Sequence, residues 1–381
     1  VKRISLSLLA LAFLGACSAT SDDSDGALTS AEVAPVAQTY VQIVTASYAD
    51  TRASAEALEL TIDAFVAAPD EAGLDAARQA WLDAREFYGQ TEAYRFYDGP
   101  IDNPEDGPEP RLNAWPMDEA YVDYVEGSPE AGIINDTANY PSIDAELLAS
   151  LNEQGGETNI STGYHAIEFL LWGQDRDPEG PGARPASDYV TDGSSTAPNP
   201  ERRAAYLQAV AELLLADLGQ VEDAWAGDYR EAFLAAEPDE IVRRILLGMG
   251  SLSGAELAGE RMEVALETRD QEDEHSCFSD NTHRDIINDA RGIENVYLGR
   301  YGDIDGPGIY DLVAARDVEL ADRLRDEIAA SVAAAEAIPV PFDRAIVEHR
   351  ETVRATIDAL RVQADTIADV AALFDLDLVL E

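Results

Sequence analysis

Apolar side chains recur every three or four residues across most of this chain, and that spacing restricts its fold more than any other feature. Val36, Tyr40, Ile43, Ser47, Thr51, Ala55, Leu58, Ile62 and Phe65 follow the rhythm until Pro69 ends it. Thr29-x-x-Glu32 stands before this run as a capping box. Leu74, Ala77, Trp81, Ala84 and Tyr88 continue the pattern. After Pro341-Phe342-Asp343, the residues Ile346, Val353, Ile357, Leu360, Ala364, Ile367, Ala371 and Phe374 form a seam suited to a helical bundle. Between these runs, Tyr206 to Trp225 and Ile241 to Leu266 also read as helices. The second carries Gly248, Gly250, Gly254 and Gly259, which predict close approach by neighbouring backbone. Alternating strand patterns of useful length are missing, so the predicted class is all-α.

Some 350 residues follow the first 28, more than one small core usually organises. Two domains are expected, 29–220 and 221–381. A faint repeat agrees: Asp83-Ala84-Arg85 precedes Asp98-Gly99-Pro100, and Asp289-Ala290-Arg291 precedes Asp305-Gly306-Pro307. Stretches 98–116, 126–144 and 176–200 are rich in Pro, Gly, Asp and Asn and read as long irregular loops, a class often tied to function.

The N-terminus has a basic start at Lys2-Arg3, a mostly apolar run from Ile4 to Phe13, and Leu14-Gly15-Ala16-Cys17. This is the layout of a secretory signal peptide over 1–17. Its last four residues resemble a bacterial lipobox, which implies lipidation at Cys17. Ser18 after the Cys points to an outer-membrane anchor facing the periplasm. Residues 18–28 are small, polar and acidic, and read as a flexible tether. With Cys17 lipidated, Cys277 has no partner for a disulfide.

Charge excludes one class of partner. The chain has 75 acidic against 26 basic residues, a net −49, and a nucleic-acid partner would need a basic stripe. Acidic excess favours cations, and it equally serves solubility.

The four histidines are His165, His275, His283 and His349. One helical turn brings His165 and Glu168 of Gly163-x-His165-x-x-Glu168 onto one face, where both could meet one ion. About one residue in five is acidic, so this spacing carries no weight alone. Residues 272–283 are denser, with two imidazoles, a thiol and four carboxylates that suit either a metal or a capped helix entrance. Glu92 and Arg95 are spaced as an intrahelical ion pair, and Asp118 stands at a helix start. Zincin, phosphate-loop and nucleophile-elbow signatures are missing.

Taken together, these phrases resemble the imelysin family, which includes the iron-regulated protein A lipoproteins. The resemblance rests on Gly163-x-His165-x-x-Glu168 with Phe-Leu-Leu-Trp-Gly-Gln-Asp after it, Thr91-Glu92-Ala93-Tyr94-Arg95-Phe96, Asn113 to Glu119, Gly259-Glu260-Arg261-Met262, Glu274 to His283, and Pro341-Phe342-Asp343. It implies two similar four-helix bundles packed together, with a site between them at the Gly-x-His-x-x-Glu segment. It also implies a role in iron uptake at the cell envelope, with iron or an iron chelate as ligand and envelope iron-transport proteins as partners. His165 and Glu168 are then the expected metal ligands, with Glu92, Arg95, Asp118, Asp280 and His283 as candidates to complete the site. The family was first grouped with metallopeptidases, so a zinc-dependent peptidase using the same pair is the alternative. No Glu follows His165 directly to serve as its base, which favours binding over catalysis.

Overall fold

A computed structural model describes residues 27–177 and 179–380. The signal peptide, Cys17 and nearly all of the 18–28 tether lie outside the described residues. Of that tether, Ala27 is exposed while Leu28 already packs into the core.

Eight helices carry the architecture. They are α1 (Ser30–Ala67), α2 (Glu71–Thr91), α3 (Gly163–Trp172), α4 (Pro200–Ala226), α5 (Pro238–Ser251), α6 (Thr282–Leu298), α7 (Val318–Glu336) and α8 (Arg350–Leu373). The Thr29–Glu32 capping box is formed, and each of its two residues bonds the other's backbone N–H. The spacing-derived positions of α1, from Val36 to Phe65, are buried. Asp70 caps α2 by accepting from Gly73 N at 2.7 Å. The class is all-α: the only paired strands among the described residues are the two-residue Arg300–Tyr301 and Ile304–Asp305.

Neighbour relations fall into two sets of four. In the first, α1 packs on α2 and α4, while α3 packs on α2 and α4. In the second, α8 packs on α5, its continuation and α7, while α6 packs on α7. α2 and α6 lie against each other as the main seam between the sets. Continuous helix runs through 220 and 221, because α4 ends only at Ala226. The expected domain boundary therefore falls within a helix. The connection to the second set follows it, through Asp228–Leu234.

Of the four glycines expected to admit a neighbouring backbone, only Gly248 does so, while Gly250 and Gly254 face side chains. α5 runs on as a π-helix over Leu252–Glu263 and returns to α-helix over Val264–Thr268. A Cβ on Gly248 would meet Ala93 O at 2.5 Å, and one on Gly250 would meet Leu380 Cδ2 at 2.6 Å. Gly254 faces Ala364 Cβ at 3.0 Å, whereas Gly259 has no close neighbour beyond its own helix. π-Helical turns often occur at functional sites, and this one carries Glu256, Glu260 and Arg261.

The seam is set by two more glycines. A Cβ on Gly89 of α2 would stand 2.9 Å from Asn288 Cβ of α6, and one on Gly292 of α6 only 2.5 Å from Gln90 O. Backbone cannot yield as a flexible side chain can, so Gly292→Ala is expected to cost about 1–3 kcal/mol by overpacking. Gly219, inside α4, has only Arg52 Nε near its missing Cβ, at 3.5 Å. There Gly219→Ala should stabilise by roughly 0.5–1 kcal/mol. Urea denaturation of both variants checks the pair; equal effects would contradict the packing described.

A paired-histidine centre at the base of a cleft

α3 is buried along its whole length. An all-apolar helix in that setting is unremarkable, but this one carries His165 and Glu168 with no exposed surface on either residue. Its first residue, Gly163, has φ +83°, and a Cβ there would lie 2.5 Å from Leu112 O. Glycine is required, and it lets the start of α3 press against the 111–112 backbone.

His165 Nδ1 bonds Glu168 Oε2 at 2.9 Å. Glu168 Oε1 accepts from Ser279 N at 3.0 Å and from Ser279 Oγ at 2.6 Å. On the other side of its ring, His165 Nε2 stands 3.3 Å from His275 Nε2. His275 Nδ1 bonds Asp285 Oδ2 at 2.9 Å, and the same oxygen accepts from Ser276 Oγ. Asp285 also pairs with Arg85, Nη2 to Oδ1 at 3.0 Å, with both side chains almost fully buried. Arg85 Nη1 donates to Asn113 Oδ1, and Asn113 Nδ2 lies 3.5 Å from His275 Nε2. The result is one chain, Glu168–His165–His275–Asp285–Arg85, in which the two imidazoles meet tip to tip and each is backed by a carboxylate.

Electrostatics settle the proton positions. Burial raises the Asp285 carboxyl, but Arg85, His275 and Ser276 outweigh it and hold the group well below the usual range. Asp285 is therefore ionised, and His275 Nδ1–H donates to it. Burial, then Arg261, push the His275 imidazolium down to about 4. Burial, His275 and Arg85 push His165 well below its ordinary value, so both rings are neutral. Burial raises Glu168 to about 8 even though Ser279 bonds its ionised form. One arrangement makes every bond: protonated Glu168 donates to His165 Nδ1, and His165 Nε2–H donates to His275 Nε2. A single proton lies between the imidazole tips.

Only the His275 side of the centre meets a cleft, and His165 has no exposed surface. His275, Asn113 and Trp115 line a cleft of about 540 Å³. The Trp115 ring stands 5.0 Å from that of His165. The cleft walls hold Glu109, Glu153, Glu157, Glu256, Glu260 and Asp273 against Arg95 and Arg261, an excess of negative charge. A more open depression beside Tyr121, Tyr140 and Asn199 contains no imidazole.

The expected site residues divide. His165 and Glu168 are in contact, but Glu168 meets the rear nitrogen of the ring and so orients it; its oxygens do not turn to the tip. Arg95 lines the cleft, whereas Glu92 is buried and does not. Glu92 receives Arg95 at 2.7 Å and also Arg261, while Arg95 reaches Glu109 at 3.0 Å. Arg261 bonds Asp289 and Glu256 as well, each at 2.9 Å. Asp118 is exposed and caps the short helix Glu119–Val122 through Ala120 N. His283 Nδ1 is bonded to the Asp280 carbonyl at 3.1 Å, and neither joins the chain around His165. Sequence reasoning missed His275 as the facing imidazole, along with Asp285, Arg85, Ser279 and Asn113. The signal for His275 was its place in the dense 272–283 segment; nothing in one dimension tied it to His165. Among the described residues, no three His, Cys, Asp or Glu groups are gathered closely enough to hold a metal by themselves.

Comparison with known proteins gives the family and the fold. The Imelysin family model matches residues 44–367, so the chain belongs to the imelysin family. It is 27% identical over 303 residues to iron-regulated protein A of Synechococcus elongatus, covering 79% of this chain and 74% of that one. Two crystal structures share the fold. An iron-regulated protein A precursor from Parabacteroides distasonis has a TM-score of 0.69 at 20% identity, covering 91% of this chain and 97% of that one. An imelysin-like protein from Psychrobacter arcticus has a TM-score of 0.69 at 14% identity, covering 93% and 99%.

Removing the anion from the Arg85 pair would leave a buried cation uncompensated, which typically costs about 3–5 kcal/mol. Asp285→Ala should lose that much in urea denaturation. A loss below about 1 kcal/mol would mean that the pair is not sealed from water.

Proposed function

We propose that this imelysin-family protein captures iron, as an ion or a small chelate, at the base of the cleft, and serves iron uptake from a lipid-anchored position on the periplasmic side of the cell envelope. The imidazole tips of His165 and His275 are the protein's ligands. One observation carries the reading: the two Nε2 atoms are 3.3 Å apart. Two nitrogens bound to one ion at about 2.0–2.1 Å and a tetrahedral angle stand about 3.3–3.4 Å apart. The same distance is that of the hydrogen bond joining the tips in the ion-free protein, so a transition metal could replace the shared proton with little movement of the rings, and imidazole suits ferrous iron and zinc alike.

His275 is already held as metal-binding histidines usually are, its far N–H donating to the Asp285 carboxylate, and His165 would be held the same way once Glu168 gave up its proton. Two imidazoles make half a coordination shell. The other positions would be filled from the cleft that His275 lines, by water or the oxygens of a chelating acid. The acidic walls concentrate cations, while Arg95 and Arg261 can hold the carboxylates of a chelate. The iron-regulated name of the Synechococcus relative fits this cargo.

A zinc peptidase needs a third protein ligand and a free base beside the metal-bound water. Glu168 spends its oxygens on His165 and Ser279, and that commitment favours capture over hydrolysis.

For an ion to take both tips, the proton between them must leave, and Glu168 becomes the carboxylate that accepts from His165 Nδ1–H. Binding should therefore release about one proton below pH 8, and affinity should rise up to about tenfold per pH unit toward that value. Anaerobic calorimetry with Fe(II) and with ferric citrate, in buffers of different ionisation heat, measures both quantities. His165→Ala and His275→Ala should each abolish binding. Glu168→Gln should weaken it by about 10–100-fold, and His283→Ala and Asp118→Asn should leave it unchanged. Undiminished binding in both His165→Ala and His275→Ala would refute the site; metal-dependent peptide cleavage lost in both would replace capture with the peptidase.

A further inference from the structure

Arg95 lines the cleft, and the next residue, Phe96, lines a separate cavity of about 400 Å³. Three segments wall it: the 96–102 loop, α5, and the tail that follows α8. Its size is that of a site for a small organic molecule. Phe96, Tyr97, Leu247 and Val379 give it apolar surface, while Asp98, Asp102 and Asp377 bring carboxylates to it. The tail is seated by Leu380, which lies against Gly250 of α5.

The loop is held by Asp102. Phe96 has φ +71° and Asp98 φ +56°, a region that costs residues other than glycine energy. Asp102 Oδ2 accepts from Phe96 N and keeps the loop in that shape. Its other oxygen, Oδ1, is buried without a partner. Ser251 of α5 also lines the cavity; it has no exposed surface, and its Oγ is likewise unpartnered. A helical serine can satisfy its hydroxyl on the carbonyl one turn back. Ser47 does so with Ile43 O, whereas Ser251 does not. A buried polar atom left in this state costs about 1–3 kcal/mol. Two such atoms in one cavity, both able to accept a hydrogen bond, ask for a donor.

Charge says what kind of donor. Among the described residues lining the cavity, the one cation is Arg243, and it already gives Glu240 two bonds of 2.9 Å. Arg95, which draws the Asp102 carboxyl down against the effect of burial, is bound to Glu92 and Glu109. The ligand therefore has to be cationic. A hard metal ion surrounds itself with about six to eight oxygens, which apolar walls of this kind do not offer. An ammonium group has three donors, and a methylene chain beside it can cover apolar surface. Aromatic rings such as Phe96 and Tyr97 add attraction for organic cations. Asp102 is half-buried, while Asp98 and Asp377 are exposed at the rim. Carboxylates at two depths suit a chain charged at both ends.

We propose that this cavity binds an aliphatic diamine or polyamine, with one ammonium on Asp102 Oδ1 and Ser251 Oγ, another near Asp98 and Asp377, and the methylene chain along Leu247 and Val379. The site shares no residue with the paired histidines and does not depend on the iron reading.

The competing occupant is water, and the competing source of affinity is the acidic surface as a whole. Calorimetry on the mature chain with putrescine, spermidine, n-butylamine and magnesium separates them, at about 0.15 M salt so that long-range attraction is largely screened. Putrescine or spermidine should bind at one molecule per chain, and magnesium should not displace it. Butylamine should bind about 3–10-fold more weakly, the worth of the exposed rim pairs. Asp102→Asn keeps an oxygen for Phe96 N and should weaken binding about 10–100-fold, Ser251→Ala about 3–10-fold. Asp223→Asn, on the exposed face of α4, should change nothing. Hydrogen exchange on the wild type locates the ligand without any variant: spermidine should slow amides in 96–102 and 374–380. The proposal is overturned by a lack of saturable binding, by uptake of several amines per chain that Asp102→Asn leaves unaltered, or by protection confined to other segments.

Discussion

The buried chain from Arg85 to Glu168 is the interaction on which the rest of this protein depends. It joins α2, α3, α6 and the 275–279 segment through side chains almost wholly removed from water. A charge in such a place persists only when it is paired and hydrogen-bonded. Arg85 ionises Asp285, Asp285 fixes the proton of His275 on Nδ1, and that leaves His275 Nε2 as an acceptor facing His165. The orientation of the imidazole tip is thus set from the main seam between the helical sets. The close glycine contacts of α2 and α6 bring Arg85 within 3.0 Å of Asp285.

Arginine recurs wherever charge is buried here. Lys2 is the only lysine, so each internal cation is a planar guanidinium able to bond several acceptors at once. Arg261 reaches Glu92, Asp289 and Glu256 from the π-helical turn. Arg203 grips Asp123 with Arg184 beside it. A chain with so large an acidic excess can cancel only part of its buried charge this way. The remaining acids spread over the surface and line the cleft.

Much of the candidate site could be read from residue order, though not its wiring. His165 and Glu168 are one turn apart on an apolar helix, and their contact follows from helical geometry. That same geometry placed Glu168 on a shared ion as easily as behind the ring; Ser279, 111 residues later, decided between them by binding Oε1. His283 and His275 looked equivalent within 272–283. Asp285 and Arg85 selected His275, while His283 turned back to a local carbonyl. Asp118 looked available beside the Asn113–Trp115 run and is a surface cap, whereas Asn113 and Trp115 are the residues that reach the histidines.

By itself the sequence determined the helical class, the main helices and the capping box of α1, because these follow from periodicity and from bonds within a few residues. It also determined the acidic balance and the family, which are properties of composition and of order along the chain. Tertiary structure alone decided which imidazole faces His165, which oxygens remain free, and where the cleft opens. Those outcomes depend on contacts between residues 100 to 200 positions apart, and no local spacing encodes them.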